Sequence, residues 1–178
     1  ALLDAAANAR AGRPHQVIAP GKTTAAQELV ALHQPLIDRM AEGPLTIGQL
    51  GQSLDGRIAT AGGDSYYVTG EANRTHLHRL RALVDAVVVG AGTVLHDDPQ
   101  LTVRACTGDN PVRVVIDSRG QLTPDHRLFQ DRQAPTLIYR GANPDQPMGQ
   151  AEVAALDVGE DGYDPVALLA DLHARGLR

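Results

Sequence analysis

Gly90-Ala91-Gly92-Thr93 is the densest cluster of residues with chemical potential, and it directly follows the apolar run Ala86-Val87-Val88-Val89. Glycines at the carboxyl end of a strand let backbone approach a phosphate, while exposed N–H groups and a Thr hydroxyl supply donors. A dinucleotide fingerprint needs a third glycine three residues after Gly92, where Leu95 stands. A tight turn without a ligand therefore stays open as the other reading. Asp97 and Asp98 are adjacent carboxylates before Pro99. Neighbours in an extended segment point opposite ways and rarely share one ion. An Asp before Pro commonly sets a turn. Hydrogen bonding to a ribose hydroxyl or to loop backbone is expected here, not a metal. His76 and His78 are two apart on a helical stretch and lack the i, i+4 spacing of zinc hydrolases, so they read as surface or packing residues.

Arg81 and Arg104 are the guanidinium groups best placed to grip a phosphate, with Ser65 as a further hydroxyl, although surface ion pairing is the alternative for each arginine. Ser118-Arg119 follows the second apolar run, Val112 to Ile116. A Ser/Arg pair at a strand's carboxyl end suits an adenosine 2′-phosphate, unless it is a simple turn.

These groups need a sheet to carry them. Three short runs, Ala86–Val89, Val112–Ile116 and Thr136–Tyr139, are rich in β-branched residues and predict parallel strands buried on both faces. Leu45–Leu50 alternates as a further strand. A helix is predicted from Thr69-Gly70-Glu71, with Thr69 as N-cap, and a final one from Pro165 with Val166, Leu168, Leu169 and Leu172 as its apolar stripe. Between Thr24 and Met40, Leu29, Val30, Leu32, Leu36, Ile37 and Met40 form a helical face that Pro35 must break or kink. The architecture is α/β. Gly43-Pro44 divides an N-terminal helical extension, 1–44, from the domain at 45–178.

With 178 residues, 43% hydrophobic and 21% charged, the chain can bury a proper core. One cysteine excludes an intrachain disulfide and fits a reducing compartment. The net charge of −5 argues against nucleic-acid binding. No apolar run approaches the roughly 18 residues that cross a bilayer, and the amino terminus has no secretory pattern. A soluble cytoplasmic domain is expected.

Further strings complete an ordered series: Ser53-Leu54-Asp55-Gly56-Arg57-Ile58-Ala59, Ser65-Tyr66-Tyr67-Val68-Thr69-Gly70, Leu80-Arg81-Ala82, Asp85 to Thr93, Asp97 to Arg104, and Arg113 to Ser118. From Leu45 through Tyr139 this series closely resembles the reductase domain of the bifunctional riboflavin-biosynthesis deaminase/reductase. That family has a dihydrofolate-reductase-like fold with a mostly parallel central sheet flanked by helices. The resemblance implies an NADPH-dependent reduction of 5-amino-6-(5-phosphoribosylamino)uracil to the ribitylamino product, with hydride delivered to C1′ of an open-chain imine. Cofactor-side positions fall on Gln52, Ser53, Tyr67, Thr93, Asp97 and Ser118, joined by Gly90 and Gly92 of the glycine turn. Substrate-side positions fall on Ser65, Arg81, Leu101 and Arg104, with Arg57 as an additional contact.

No catalytic acid is assigned, and Asp55-Gly56 reads as a turn. Catalysis then rests largely on orientation. Tyr67 stands where many relatives carry Trp. The deaminase motifs are missing, and relatives continue past the position of Arg178 with further strands and a glycine-rich loop. The reductase domain is therefore expected to be carboxyl-terminally incomplete. Relatives are commonly dimers, which implies a homodimer here. Two other readings stay open: a reductase of the same fold acting on another pterin- or pyrimidine-like substrate, and a non-catalytic binding module.

Overall fold

The computed structural model describes residues 1–17, 23–62, 69–160 and 162–178. They form two compact units, Ala1–Leu83 and Val84–Arg178.

The first unit holds α1 (Leu2–Arg10), α2 (Thr24–Glu42) and α3 (Glu71–Leu83). Ala5, Ala6 and Ala9 give α1 a face of small side chains that packs with Val17, Ile37 and Leu83. The Arg10 guanidinium donates to the Leu83 carbonyl and so satisfies one orphan acceptor at the end of α3. The Thr23 hydroxyl caps α2 by accepting from the Ala26 N–H at 3.3 Å.

Pro35 does not break α2, which runs through it to Glu42. A proline deprives the carbonyl four residues earlier of its donor, and here both Ala31 and Pro35 are exposed, so water can serve that carbonyl. The predicted apolar face is also narrower than its spacing implied: Ile37 is buried, while Leu32 is 54% exposed. Leu45–Leu50 is not a strand, because no ladder partner lies beside it among the described residues and Leu50 is 64% exposed. Thr69 is not the N-cap of α3. The first helical carbonyl is that of Gly70, which accepts from Arg74, while the Thr69 hydroxyl accepts from the Asn73 side-chain amide at 3.0 Å.

The second unit is a four-stranded parallel sheet of β1 (Ala86–Gly90), β2 (Val112–Asp117), β3 (Thr136–Arg140) and β4 (Glu152–Ala154), in that spatial order. The three predicted strands are present and parallel, while β4 and a short hairpin of β5 (Val158–Gly159) and β6 (Gly162–Tyr163) had no clear periodic signal. Successive residues alternate between two cores, as the pleat requires. Val115 and Ile138 join Val94 of α4 (Ala91–Asp97), Leu128 and Phe129 of α5 (Arg127–Gln130), Leu122 and Met148 on one face. Val114, Leu137 and Tyr139 meet Leu168 and Leu172 of α6 (Pro165–Ala174) on the other.

Edge strand β1 departs from the expectation of full burial, with Val88 43% exposed. The stripe of α6 is likewise reduced to Leu168 and Leu172, since Val166 is 74% and Leu169 46% exposed. Pro165 opens that helix as expected, after the Asp164 carboxylate accepts from the Val166 N–H at 2.9 Å. None of the described helices is long and apolar enough to cross a membrane.

Candidate functional site

The carboxyl ends of β1 and β2 lie side by side, with Gly90 opposite Ile116 in the register. Gly90 is the N-cap of α4, so Gly90–Thr93 is a strand-to-helix junction and not an isolated turn. A Cβ placed on Gly90 or Gly92 would meet no atom within 4 Å, and Thr93 is exposed. The space beside the backbone at Gly90 and Gly92 is therefore open, and the Thr93 side chain is exposed. Two residues past Ile116 stands half-buried Ser118, followed by exposed Arg119, which makes no ion pair among the described residues.

The Ser118 turn is built on buried charge. Asp117 is 0% exposed, and its two carboxylate oxygens accept from the backbone N–H groups of Gln121 at 2.8 Å and Leu122 at 3.0 Å. Arg140, its partner in the β2–β3 register, brings its Nε to 3.7 Å of that carboxylate and donates to the carbonyls of Gly120 and Leu122. Gly120 takes φ +65, a left-handed conformation suited to glycine. Gly141 is required by proximity: a Cβ there would stand 2.2 Å from the Ser118 carbonyl oxygen. Burial pushes the Tyr163 phenol above its ordinary pKa, and the Asp117 charge pushes it the same way.

Asp97 ends α4, and Asp98 follows in a left-handed conformation, φ 36 and ψ 57, so the pair is not an extended segment. Asp98 bonds the backbone at the start of α5 and not a loop, accepting from the Arg127 N–H at 2.9 Å with the His126 and Arg127 side chains nearby. Leu101 also has a positive φ, +55, while its side chain is 4% exposed. For a bulky L-residue such a conformation costs about 1–3 kcal/mol and persists only where surrounding contacts over-determine it. Arg104 is exposed, and its guanidinium donates to Gln100 Oε1 and to Thr102 Oγ1, the latter at 3.3 Å. The Gln100 carbonyl is tied to Arg113, at the amino end of β2. About 13 Å of strand separates Arg113 from Asp117. The structure thus groups Gly90, Gly92, Thr93 and Ser118 at one end of β2, and holds Gln100, the start of the Leu101–Arg104 segment, at the other.

In the first unit, Ser53 and Asp55 form an exposed turn. The Gly56 N–H donates to the Ser53 carbonyl at 2.9 Å, and Ser53 Oγ accepts from the Arg57 N–H at 3.1 Å. Gly56 has φ +78, and Asp55 pairs with Arg57 at 3.5 Å, in keeping with the reading of Asp55-Gly56 as a turn. Gln52 is exposed beside it, and Arg81 sits half-buried in the last turn of α3. Ser65 and Tyr67 lie outside the described residues. His78 is buried, and the His76 ring packs edge-on against His33 at 5.4 Å. Among the described residues no group of three or more His, Cys, Asp or Glu side chains is arranged to hold a metal ion.

Sequence reasoning named the loop residues but missed the side chains that hold them: Arg113, Asp117, Arg140 and Asn110. A signal existed for the first three. Charged residues inside β-branched strand runs must be paired if those runs are buried. Asn110, in an irregular loop, carried none.

The RibD C-terminal domain family matches residues 44–178. The chain is 41% identical over 140 residues to a Methanothermobacter thermautotrophicus protein named 2,5-diamino-6-ribosylamino-4(3H)-pyrimidinone 5′-phosphate reductase, covering 75% of this chain and 64% of that protein. It is 45% identical over 96 residues to the Mycobacterium tuberculosis riboflavin biosynthesis protein RibD, covering 52% of this chain and 28% of the relative. The chain therefore spans less than two thirds of these two relatives. Among solved structures, the Thermotoga maritima diaminohydroxyphosphoribosylaminopyrimidine deaminase/5-amino-6-(5-phosphoribosylamino)uracil reductase superposes with a TM-score of 0.67 at 32% identity, over 86% of this chain and 42% of that one. The match over residues 44–178 establishes that this chain belongs to the RibD C-terminal domain family.

Proposed function

We propose that the chain is the reductase portion of a riboflavin-pathway enzyme, reducing the C1′ carbon of a 5-phosphoribosylamino-pyrimidine at the expense of NADPH. The observation that carries this reading is the open space at Gly90 and Gly92, at the carboxyl end of a strand that neighbours the Ser118-Arg119 turn. Glycine backbone and the Thr93 hydroxyl fit a pyrophosphate, and the exposed guanidinium of Arg119 with the Ser118 hydroxyl fits a 2′-phosphate. The coenzyme roles of Gln52, Ser53, Tyr67 and Asp97 rest on the sequence motifs. Bound there, the coenzyme supplies a hydride.

The chain's own residues bind and orient. Arg104 holds the substrate phosphate and Leu101 fixes the sugar beside it, while the substrate roles of Ser65, Arg81 and Arg57 rest on the sequence motifs. Reduction adds one hydride to C1′ and one proton to the attached nitrogen, and among the motif residues no side chain is assigned as the acid.

NADPH titration of the chain tests the reading first, and saturable binding weakened tenfold or more for NADH is expected. Absence of any coenzyme binding would leave only a binding module. Arg104→Ala is expected to weaken substrate affinity roughly 30-fold, about 2 kcal/mol, the cost of a lost charge-assisted phosphate contact. An unchanged affinity would point to a different pterin- or pyrimidine-like substrate. A second substrate form is favoured by the 41% identity to the Methanothermobacter protein, whose name specifies the 2,5-diamino pyrimidinone in place of the uracil. The two rings differ by an amino or oxo group, so parallel assays of both forms separate them.

A further inference from the structure

We propose that Asn110 and Arg113 are positioning residues that hold the Gln100–Arg104 segment in its substrate-binding form. This rests on the reading of Leu101 and Arg104 as substrate contacts. The segment belongs to no helix or strand, and Leu101 sits in it with φ +55, a conformation that a free loop would abandon. Two side chains clamp the backbone on either side of it. On the amino side, Arg113 Nη1 donates to the Gln100 carbonyl at 3.4 Å. On the carboxyl side, Asn110 Oδ1 accepts from the Val103 N–H at 2.7 Å.

Each clamp is itself anchored. Arg113 is 0% exposed and donates to Thr136 Oγ1 at 2.9 Å, the Asp131 carboxylate at 2.8 Å and the Ala134 carbonyl at 2.8 Å. Asn110 donates from Nδ2 to the Gln133 carbonyl at 2.9 Å. Both clamps therefore transmit the rigidity of residues 131–136, at the start of β3, to a segment with no ladder of its own. A binding residue placed on an irregular loop needs such support to meet its ligand without an ordering cost. Arg104 gains most, because its guanidinium is already steered by Gln100 and Thr102 within the clamped stretch.

The test measures binding of D-ribose 5-phosphate to the full chain by calorimetry, for wild type, Arg104→Ala, Asn110→Ala and the double variant, with NADPH affinity as a control. The clamp predicts at least a fivefold loss for Asn110→Ala, with NADPH affinity within twofold of wild type. It also predicts a double variant no more than twofold weaker than Arg104→Ala alone, since both changes disable the same contact. Arg113→Lys, which keeps the charge but not the four-way bonding, is expected to weaken ribose 5-phosphate binding in the same selective manner. If Arg104→Ala weakens binding and Asn110→Ala does not, or if the two losses simply add, the clamp is overturned while the substrate site stands. If wild type and Arg104→Ala bind equally, or neither binds, the substrate reading falls and takes the clamp with it. Amide exchange at Val103 and Val115 guards against simple misfolding: loss of protection at Val103 alone supports the clamp, and loss at both overturns it.

Discussion

In Val84–Arg178, the side chains of Arg113, Asp117 and Arg140 are at most 2% exposed. Arg113 and Asp117 are hydrogen-bonded, and Arg140 donates through its Nη atoms while its Nε faces the Asp117 carboxylate at 3.7 Å without a hydrogen bond. In Ala1–Leu83, His33 is as deeply buried, yet its Nε2 has no hydrogen-bond partner, and neither does Nδ1 of the neighbouring His76. The contrast shows two solutions to the same cost. The sheet unit sets its ionisable side chains against one another and spends their hydrogen bonds on loop backbone, at Gln100, Gln121, Leu122 and Ala134. In the helical unit, burial holds the His76 imidazole below its ordinary pKa. His33 Nδ1 donates to the Leu29 carbonyl at 2.9 Å. Buried charge can hold a site loop in place, whereas a buried neutral imidazole makes its helices depend on pH.

The largest effect should come from breaking the first solution. Arg140→Met leaves the Asp117 carboxylate buried without its cation, and removing one member of such a pair typically costs about 3–5 kcal/mol. Urea denaturation of the variant should show a loss of this size, with the Ser118 turn losing amide protection at Gln121 and Leu122. A loss below about 1 kcal/mol would mean that the two N–H donors alone satisfy Asp117, and the comparison would lose its sharper half.

The same contrast explains what could be read from sequence. Ala86–Val89, Val112–Ile116 and Thr136–Tyr139 were legible as parallel strands because burial on two faces demands continuous apolar runs, and the glycine junction after the first run was legible for the same reason. Leu45–Leu50 misled, because alternation shows only that a segment could pair, not that a partner is present. Of the two outcomes read for Pro35, the break does not occur, because an exposed helix face tolerates a missing donor. Of the candidate site, Gly90–Thr93 and Ser118 declared themselves by following strands. The clamp on Leu101 did not, because it depends on Asn110 and Arg113 reaching back from 7 and 13 positions away to Val103 and Gln100.

A smaller effect should come from acidifying the helical unit. Burial holds the His76 imidazole below its ordinary pKa of 6.5, and the facing charges, His33 and then Arg79, push in the same direction. Its folded-state pKa lies below its unfolded one, so the unfolded chain binds the proton more readily. The stabilisation is complete above pH 6.5 and is lost as pH falls from there through the folded value. Thermal melts followed by amide exchange in α2 and α3 should show the helical unit weakening between neutral pH and about pH 5, ahead of the sheet. His76→Phe should flatten that dependence. A pH profile unchanged by the replacement would show that the imidazole is solvated in the folded state.

The smallest stability effect belongs to the exposed turn at Ser53. Its hydroxyl accepts from the Arg57 N–H and donates its single hydrogen within the same turn, to the Asp55 carboxylate or to the Arg57 carbonyl, all among exposed residues. Water replaces such bonds readily, so Ser53→Ala should cost about 0.5–1 kcal/mol. That small cost makes Ser53 useful, because the residue is also a proposed coenzyme contact and its binding role can be measured in a chain that still folds. A several-fold loss of NADPH affinity with a nearly unchanged melting temperature is the expected result. An unaltered affinity would restrict coenzyme recognition to the braced loops of the sheet unit, and the exposed turn would then be local structure alone.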